Sequence, residues 1–323
     1  AVTVNRPPQG GYYMSDPTAV EVVVTQNAPT FFMQVLGFTS MRVTARAVAR
    51  QGPGSNCVYS LNPTANKALW QTGSGEFVSP CGIYVNSSDS KAFYFSGSGS
   101  IEAEIDIVGS YYQGGSGSVS PAPISGVPRP PVIDPLASRA LPSIPGNCDY
   151  NNRSVSGIVT LDPGVYCGGL SITGSGAITF NPGLYIINGG GLSVSGSGSV
   201  SGTGVTIYDT ADGSHTYKGI QISGSGEITL SAPSSGPYES LLLIGDRTRA
   251  SSLGSSVTGS GNLHIDGVIY LPREELAFAG SSGSRYQVLI ADTLKITGSA
   301  QLNNDYSGLS SGAPIRGSGV VSE

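Results

Sequence analysis

Apolar and polar residues keep a fixed parity around a repeated tetrapeptide, Ser/Thr-Gly-Ser-Gly. The unit occurs at residues 72–75, 96–99, 173–176, 195–198, 223–226 and 258–261, and a degenerate copy, Thr-Gly-Ser-Ala, occurs at 297–300. Both of its glycines share the parity of the flanking apolar residues, such as Ile172 and Ile178. Residues two apart in a strand point to the same face. The pattern therefore predicts strands with glycine and apolar residues facing inward and hydroxyl residues facing outward.

The recurrence of this unit predicts a mostly β fold, a right-handed parallel β-helix (solenoid) in which each copy marks one coil. The motif glycines Gly174, Gly196, Gly224 and Gly259 follow one another at steps suited to single coils, and the longer step to Gly298 fits two. Glycine is expected at each bend because the inside of a tight bend leaves no room for a side chain. We expect about six coils over residues 155–305.

The remaining segments predict four regions along the chain. Residues 1–52 alternate in two stretches around an apolar segment from Pro29 to Leu36 that suits a brief helix, which predicts a small N-terminal β-α-β (α+β) lobe. Residues 53–108 resume the repeat pattern as a solenoid-like β block. Residues 109–147 hold eight prolines between Pro121 and Pro145 and predict an extended connector, free or lying along a lobe. Residues 148–323 are predicted to form the parallel β-helix and a C-terminal tail.

Composition and charge narrow the classes of function. Glycine supplies 47 of 323 residues, charged residues only 11%, and the net charge is −5 without a basic cluster. A nucleic-acid partner is therefore not expected. No run of 18 apolar residues occurs, so any membrane anchor is expected to lie upstream of Ala1.

The four cysteines allow three pairings. Cys57 with Cys81 and Cys148 with Cys167 is the pairing we favour, because each then closes a short local loop. The Cys-x-x-Cys spacing of a structural metal site is absent from the sequence, so no metal is expected. Disulfides indicate an oxidising compartment.

The residue types needed for catalysis occur without a catalytic pattern, so we do not expect an enzyme, and no catalytic residue or cofactor is predicted. Gly308–Gly312 matches the Gly-x-Ser-x-Gly of a nucleophile elbow, but no helical pattern follows it. His215 and His264 are expected to be solvated. The acidic residues are expected to be isolated at the surface, since no repeated position places two in adjacent coils: Asp209, Asp212, Glu227, Glu239, Asp246, Asp266, Glu274, Glu275, Asp292 and Asp305.

The outward hydroxyl residues of the repeat are the candidate binding feature. They are Thr173, Ser175, Ser195, Ser197, Ser223, Ser225, Thr258 and Ser260. One interpretation is a hydrogen-bonded ladder that solvates a chain of low charge. The other is a flat polar face that contacts a glycan, a partner or a neighbouring subunit. In the N-terminal lobe, Arg42, Arg46 and Arg50 share one face, which is either solvated or docks to an acidic partner.

Several short segments resemble TadG-like proteins of tight-adherence (Flp/Tad) pilus systems. They are Val2–Asn5 with Pro7 and Pro8, Ala19–Val22, Thr44–Ala49, Cys57–Pro63, Cys81–Ser87, Asp134–Leu136 and Pro163–Leu170. The resemblance implies a structural or adhesive protein of the Gram-negative envelope, periplasmic or at the cell surface, that acts in pilus assembly or at the pilus tip. Its implied partners are other pilus or envelope proteins, or further copies of itself. A carbohydrate-active or carbohydrate-binding β-helix protein remains the alternative.

Overall fold

The computed structural model describes residues 1–11, 14, 19–50, 56–130, 133–250, 254–281, 283–315 and 320–321. Its strands are almost all parallel outside the N-terminal region. The chain divides into two compact units, one of residues 1–55 with 316–323 and one of residues 56–315.

The N-terminal unit is a four-stranded antiparallel sheet. Its strands are β1 (Val2–Asn5), β2 (Ala19–Pro29), β3 (Ser40–Arg50) and β28 (Val320–Val321), in the order β1-β2-β3-β28. A single 3₁₀ turn, Met33–Leu36, joins β2 to β3, and Gly37 ends it with a φ of 86°. The expected β-α-β lobe is therefore corrected. A β-α-β crossover needs a dozen or more residues between its strands, and the short link from β2 to β3 makes a hairpin instead.

The larger unit contains strands β4 to β27. In its first segment they are β4 (Asn56–Ser60), β5 (Leu69–Gln71), β6 (Glu76–Val78), β7 (Gly82–Val85), β8 (Phe93–Phe95), β9 (Ser100–Glu102), β10 (Ile105–Ile107), β11 (Tyr111–Gln113), β12 (Ser118–Ser120) and β13 (Ile124–Ser125). In its second segment they are β14 (Tyr150–Val155), β15 (Val159–Leu161), β16 (Gly164–Ile172), β17 (Ala177–Phe180), β18 (Gly183–Asn188), β19 (Leu192–Val194), β20 (Ser199–Thr203), β21 (Val205–Thr210), β22 (Ile220–Ile222), β23 (Ile228–Ser231), β24 (Leu241–Gly245), β25 (Ser255–Ser281), β26 (Gln287–Ile296) and β27 (Ala300–Gln301).

Successive strands form sets of three that stack on one another, and we call each set a rung. Strands β18, β19 and β20 pair in parallel with β21, β22 and β23 of the following rung. The long strand β25 passes through two rungs, pairing with β22, β23 and β24 on one side and with β26 on the other. The strands close around a common apolar interior, which confirms a mostly β, parallel fold. The direction of winding stays a prediction.

The stacking order of the rungs differs from their order in the sequence. Strand β26 pairs in parallel with β4 and β5, so the segment 56–125 stacks on the last rung of the segment 150–301. Twenty strands thereby join one sheet, and a smaller sheet, β27-β6-β9-β12, runs beside it. Strands β4 to β27 of the two predicted blocks, 53–108 and 148–323, share this one unit, whereas β28 pairs with β3 of the N-terminal unit.

The structure confirms that the apolar residues flanking each repeat unit face inward. Ile172, Ile178, Val194 and Val200 are all buried in the main core, as are their equivalents in the following rungs. The motif glycines follow the expectation only in part, because Gly97 and Gly224 are buried whereas Gly174 and Gly196 are exposed at a corner. A Cβ atom on Gly198 or Gly226 would overlap the carbonyl oxygen of the glycine in the preceding rung. Close stacking between rungs, and not the inside of a bend, is what requires glycine there.

The proline-rich connector returns the chain from the last rung to the first. It begins after β13, later than the expected residue 109, because the alternating residues from Tyr111 to Ser125 still form strands. It packs against the stack: Arg129 Nε donates to Asn86 Oδ1 at 2.9 Å, and Tyr270 Oη donates to Asp134 Oδ2 at 2.6 Å. Arg247 also donates to a carbonyl oxygen of the connector.

Candidate interaction surfaces

Each disulfide joins two adjacent rungs. Cys57 in β4 bonds Cys81 just before β7, and Cys148 just before β14 bonds Cys167 in β16, with Cα–Cα distances of 5.6 and 5.7 Å. This is the pairing favoured from the sequence. The second disulfide ties β14, the strand at one end of the stack, to the next rung.

The predicted hydroxyl residues occupy equivalent positions in successive rungs. Backbone bonds align them, since Ser197 N donates to Gly174 O at 3.0 Å and Ser225 N donates to Gly196 O at 2.8 Å. The residues at exposed positions are Thr173, Ser175, Ser195, Ser197, Ser223 and Ser225, whereas Thr258 is half-buried. The side chain of Ser260 lies outside the described part of the structure. The hydroxyl columns therefore form an outward surface, and their use in binding stays a prediction.

Two small cavities lie at or near the repeat. The corner glycines enclose only a minor depression between Ile172, Val194 and Ile228. A shallow cavity of about 140 Å³ lies nearby, around Arg153, Leu170 and Ser193. Neither cavity is lined by an acidic residue. Among the described residues, no group of three or more His, Cys, Asp or Glu side chains is placed to hold a metal ion.

Four acidic residues expected at the surface lie in the interior instead: Asp209, Glu239, Asp246 and Glu274. All four are at most 9% exposed, and among the described residues neither carboxylate oxygen of Asp209 has a hydrogen-bond partner. Tyr217 Oη donates to Glu274 Oε1, and Ser255 Oγ donates to Glu274 Oε2 at 2.5 Å. Burial raises the pKa of Asp209 well above its usual value, and the negative charge of Glu274 adds to the shift. Burial likewise raises the pKa of Glu274. Asp209 is closed to solvent, so this pair cannot reach a substrate in this conformation.

The Gly308–Gly312 segment binds a carboxylate and forms no nucleophile elbow. Ser310 Oγ and Ser311 Oγ donate to Glu239 Oε2 at 2.9 and 2.7 Å, and Ser311 N donates to Oε1 at 2.7 Å. These hydrogen bonds lower the pKa of Glu239. His215 approaches a different residue, with its Nδ1 at 3.4 Å from Asp212 Oδ1.

One of the three arginines on the predicted basic face is engaged within its own sheet. Arg46 Nε donates to Glu21 Oε1 at 2.6 Å, and Asn5 Nδ2 donates to the other oxygen at the same distance. The hydrogen bonds from Asn5 and Arg46 lower the pKa of Glu21. Arg42 is exposed, and the side chain of Arg50 lies outside the described part of the structure.

The N-terminal unit leaves most of its large apolar side chains exposed. Among the described residues of this unit, the buried apolar cluster contains only Ala19 and Val48. Phe31 and Phe32 are 86% and 92% exposed, and Leu36 is 71% exposed. We call the exposed apolar residues at the β2–β3 connection the hairpin tip: Phe31, Phe32, Met33, Leu36, Phe38 and Met41. A group of exposed large apolar side chains at one turn is typical of an interaction site.

Sequence reasoning missed the hairpin tip for an identifiable reason. The apolar stretch from Pro29 to Leu36 predicts a brief helix, whereas the structure forms a four-residue turn that leaves Phe31 and Leu36 exposed. The missing signal was the absence of a matching apolar face elsewhere in residues 1–52, which alternate with polar and charged side chains.

Comparison with known proteins finds one match. A family model described as "Putative Tad-like Flp pilus-assembly" matches residues 2–49, the segment that contains β1, β2, the hairpin tip and most of β3. Neither the curated proteins nor the solved structures contain a match. None of the described helices is long and apolar enough to cross a membrane. The family match supports an association of the chain with Tad-type Flp pilus assembly.

Proposed function

We propose that this chain is a structural or adhesive, extracytoplasmic component of a bacterial Tad/Flp-type pilus system, of the TadG-like kind. The proposal rests on the family match over residues 2–49. The two disulfides are compatible with a periplasmic or cell-surface location, because disulfides persist in oxidising compartments.

In this proposal the hairpin tip is the contact with other pilus components. The match falls on the unit that exposes Phe31, Phe32 and Leu36 and has almost no core of its own. Burying a phenylalanine side chain contributes about 1.5–3 kcal/mol. A partner surface that covers both phenylalanines would therefore gain several times the thermal energy, which is enough to position the unit in an assembly.

The larger unit serves as a rigid scaffold in this view, and we infer that it is a right-handed β-solenoid. The in-register pairing of each strand with its equivalent in the next rung supports a solenoid. Parallel crossovers in one sheet are right-handed in nearly all proteins. A role without catalysis is supported by the burial of Asp209 and Glu274 away from solvent.

A test uses the bacterium that encodes the chain. The double variant Phe31→Ser/Phe32→Ser is expected to fold normally, since both side chains are exposed, but to lose co-purification with pilus components and to reduce surface piliation. The matched control is Ile158→Ser, because Ile158 is 90% exposed in the other unit. Normal piliation and adhesion after deletion of the whole chain would overturn the proposal. Normal piliation in the double variant alone would overturn the role of the hairpin tip.

A further inference from the structure

Lysine and aromatic side chains line one outward column across four consecutive rungs. Strand register places Lys295 opposite Trp70, Trp70 opposite Tyr94, and Tyr94 opposite Tyr112. Adjacent parallel strands lie about 4.8 Å apart. We call this set, together with Lys67 and Lys91, the lysine–aromatic column.

The ring faces of the column hold its ammonium groups in place. Lys67 Nζ lies 4.4 Å from the Trp70 ring centre and 4.7 Å from that of Tyr94. Lys295 Nζ lies 4.5 Å from Trp70, and Lys91 Nζ lies 4.8 Å from Tyr112. Such contacts orient an ammonium group at small energetic cost, and its N–H donors remain available to a ligand.

Lys67 and Lys91 occupy equivalent places in successive rungs. Lys67 N donates to Lys91 O at 3.0 Å, and each lysine precedes its aromatic residue by the same interval. The column contains three of the four lysines of the chain and its single tryptophan. The chain as a whole carries a net charge of −5, so this group of cations differs in sign from the net charge of the chain.

Two carboxylates within three residues of a lysine of the column, those of Asp89 and Asp292, are engaged with other groups. Asp89 Oδ1 accepts from Asn66 Nδ2 at 3.0 Å and from Lys91 N at 2.7 Å, while Asp292 Oδ2 accepts from Asn62 Nδ2 at 2.9 Å. Among the described residues, none of the three ammonium groups of the column lies in a salt bridge. The column therefore presents cations whose charge is not neutralised by contact with a carboxylate.

The geometry of the rings decides which anion fits. Tyr94 and Tyr112 stack with ring centres 5.0 Å apart and an interplanar angle of 25°. One face of each ring packs against the other ring, and Lys67 and Lys91 lie over Tyr94 and Tyr112. A ligand therefore meets ring edges, hydroxyl groups and ammonium groups. Nucleobases bind such proteins by stacking on free aromatic faces, which this arrangement does not favour. A sugar polymer with a carboxylate on successive units needs only cations and hydroxyl partners at repeated spacing.

We propose that the lysine–aromatic column binds an acidic polysaccharide whose carboxylates pair with Lys67, Lys91 and Lys295. The polymer would run along the stack, with its hydroxyls bonded to the tyrosine hydroxyls. The column adjoins the repeat hydroxyls of its own rungs, since Trp70 Nε1 donates to Ser96 Oγ at 2.9 Å. The proposal does not depend on the role in a pilus.

The experiment uses the purified full chain and the fluorescence of Trp70, the only tryptophan. Polygalacturonate is the probe, neutral dextran the uncharged control polymer, and an oligo(dT) strand the nucleic-acid control. We expect a saturable change in Trp70 fluorescence with polygalacturonate alone, weakened by salt. Lys67→Gln/Lys91→Gln is expected to raise its Kd by roughly tenfold or more.

Two variants keep the test decisive. Lys218→Gln removes the fourth lysine, which lies outside the column, and should leave binding unchanged. Lys67→Arg/Lys91→Arg keeps the charges and should retain binding within about threefold even where the glutamine variant is poorly folded. Absence of a fluorescence change, equal or tighter binding of oligo(dT), or equal loss of binding in Lys218→Gln would overturn the site.

Discussion

At the scale of single residues, the repeat is explained by the contact between rungs. The Cβ of a residue at position 226 would occupy the space of the Gly198 carbonyl oxygen, whereas at position 224 it would lie 3.1 Å from Gly196 O. Both glycines belong to the same Ser-Gly-Ser-Gly unit, and neither has a positive φ. The two positions therefore differ in the space available to a Cβ atom and not in backbone conformation.

Replacing Gly226 by alanine is expected to destabilise the stack because the added methyl group must displace a neighbouring strand. Overpacking of this kind typically costs about 1–3 kcal/mol. Gly224→Ala is the matched control and should cost clearly less, since its nearest contact can relax by a few tenths of an ångström. Thermal unfolding followed by circular dichroism measures both variants. Equal loss of stability in the two would contradict the explanation.

A second residue-scale prediction concerns the buried carboxyl of Asp209. Its pKa is raised in the folded chain, so the stability it contributes is complete at pH values below its ordinary pKa. That contribution is lost as the pH rises through the raised value, when a buried charge must form. Asp209→Asn is therefore expected to raise Tm at pH 8 by about 2–4 °C per kcal/mol recovered, with the gain shrinking towards pH 4.

Asp212 supplies the opposite control. Hydrogen bonds from Asn188 and from the backbone N–H of Ser214 lower the pKa of Asp212 to about 2. Its contribution is present at neutral pH and is lost as the pH falls through that value, so Asp212→Asn should lower Tm at pH 8. Differential scanning calorimetry across pH 4–8 separates the two. A higher Tm in both variants at pH 8 would contradict the opposite pKa shifts of Asp209 and Asp212.

At the scale of elements, local patterns were predictable and distant pairings were not. The strands around each repeat follow from the parity of residues such as Ile222 and Ile228, because alternation is a property of neighbouring residues. The helix expected near Phe32 failed because Pro and Gly flank a tight turn as readily as a helix. The pairing of β26 with β4 could not be read from the sequence, since any apolar strand edge offers the same backbone hydrogen bonds.

The same limit explains the sites that sequence analysis missed. Lys295 and Trp70 become neighbours only because the early segment stacks on the late one. Asp209 and Glu274 lie in rungs that stack in chain order, since β21 pairs with β24 and β24 with β25, but the sequence does not show which side chains of such strands are buried. In contrast, the disulfides were predictable because each links a rung to its immediate neighbour in sequence.

At the scale of the whole molecule, the non-sequential stacking order makes one cut in the connector informative. Gly146 and Asn147 are exposed, and a protease site inserted between them would divide the chain into an early and a late fragment. Each disulfide lies within one fragment, so no covalent bond would join the two. If the two fragments stay together after the cut, strand pairing between the rungs and not the connector holds them.

We expect the cut protein to elute as a single species of unchanged size at micromolar concentration. Strand β26 pairs with both β4 and β5, and Leu69 and Leu294 are fully buried where these rungs meet. The cut should make Tm depend on protein concentration, because association is now bimolecular. Leu69→Asp should separate the cut fragments, and its uncut form reports whether the variant still folds. Wild-type fragments that elute apart would show that the early segment is an independent block and that the stack is not continuous.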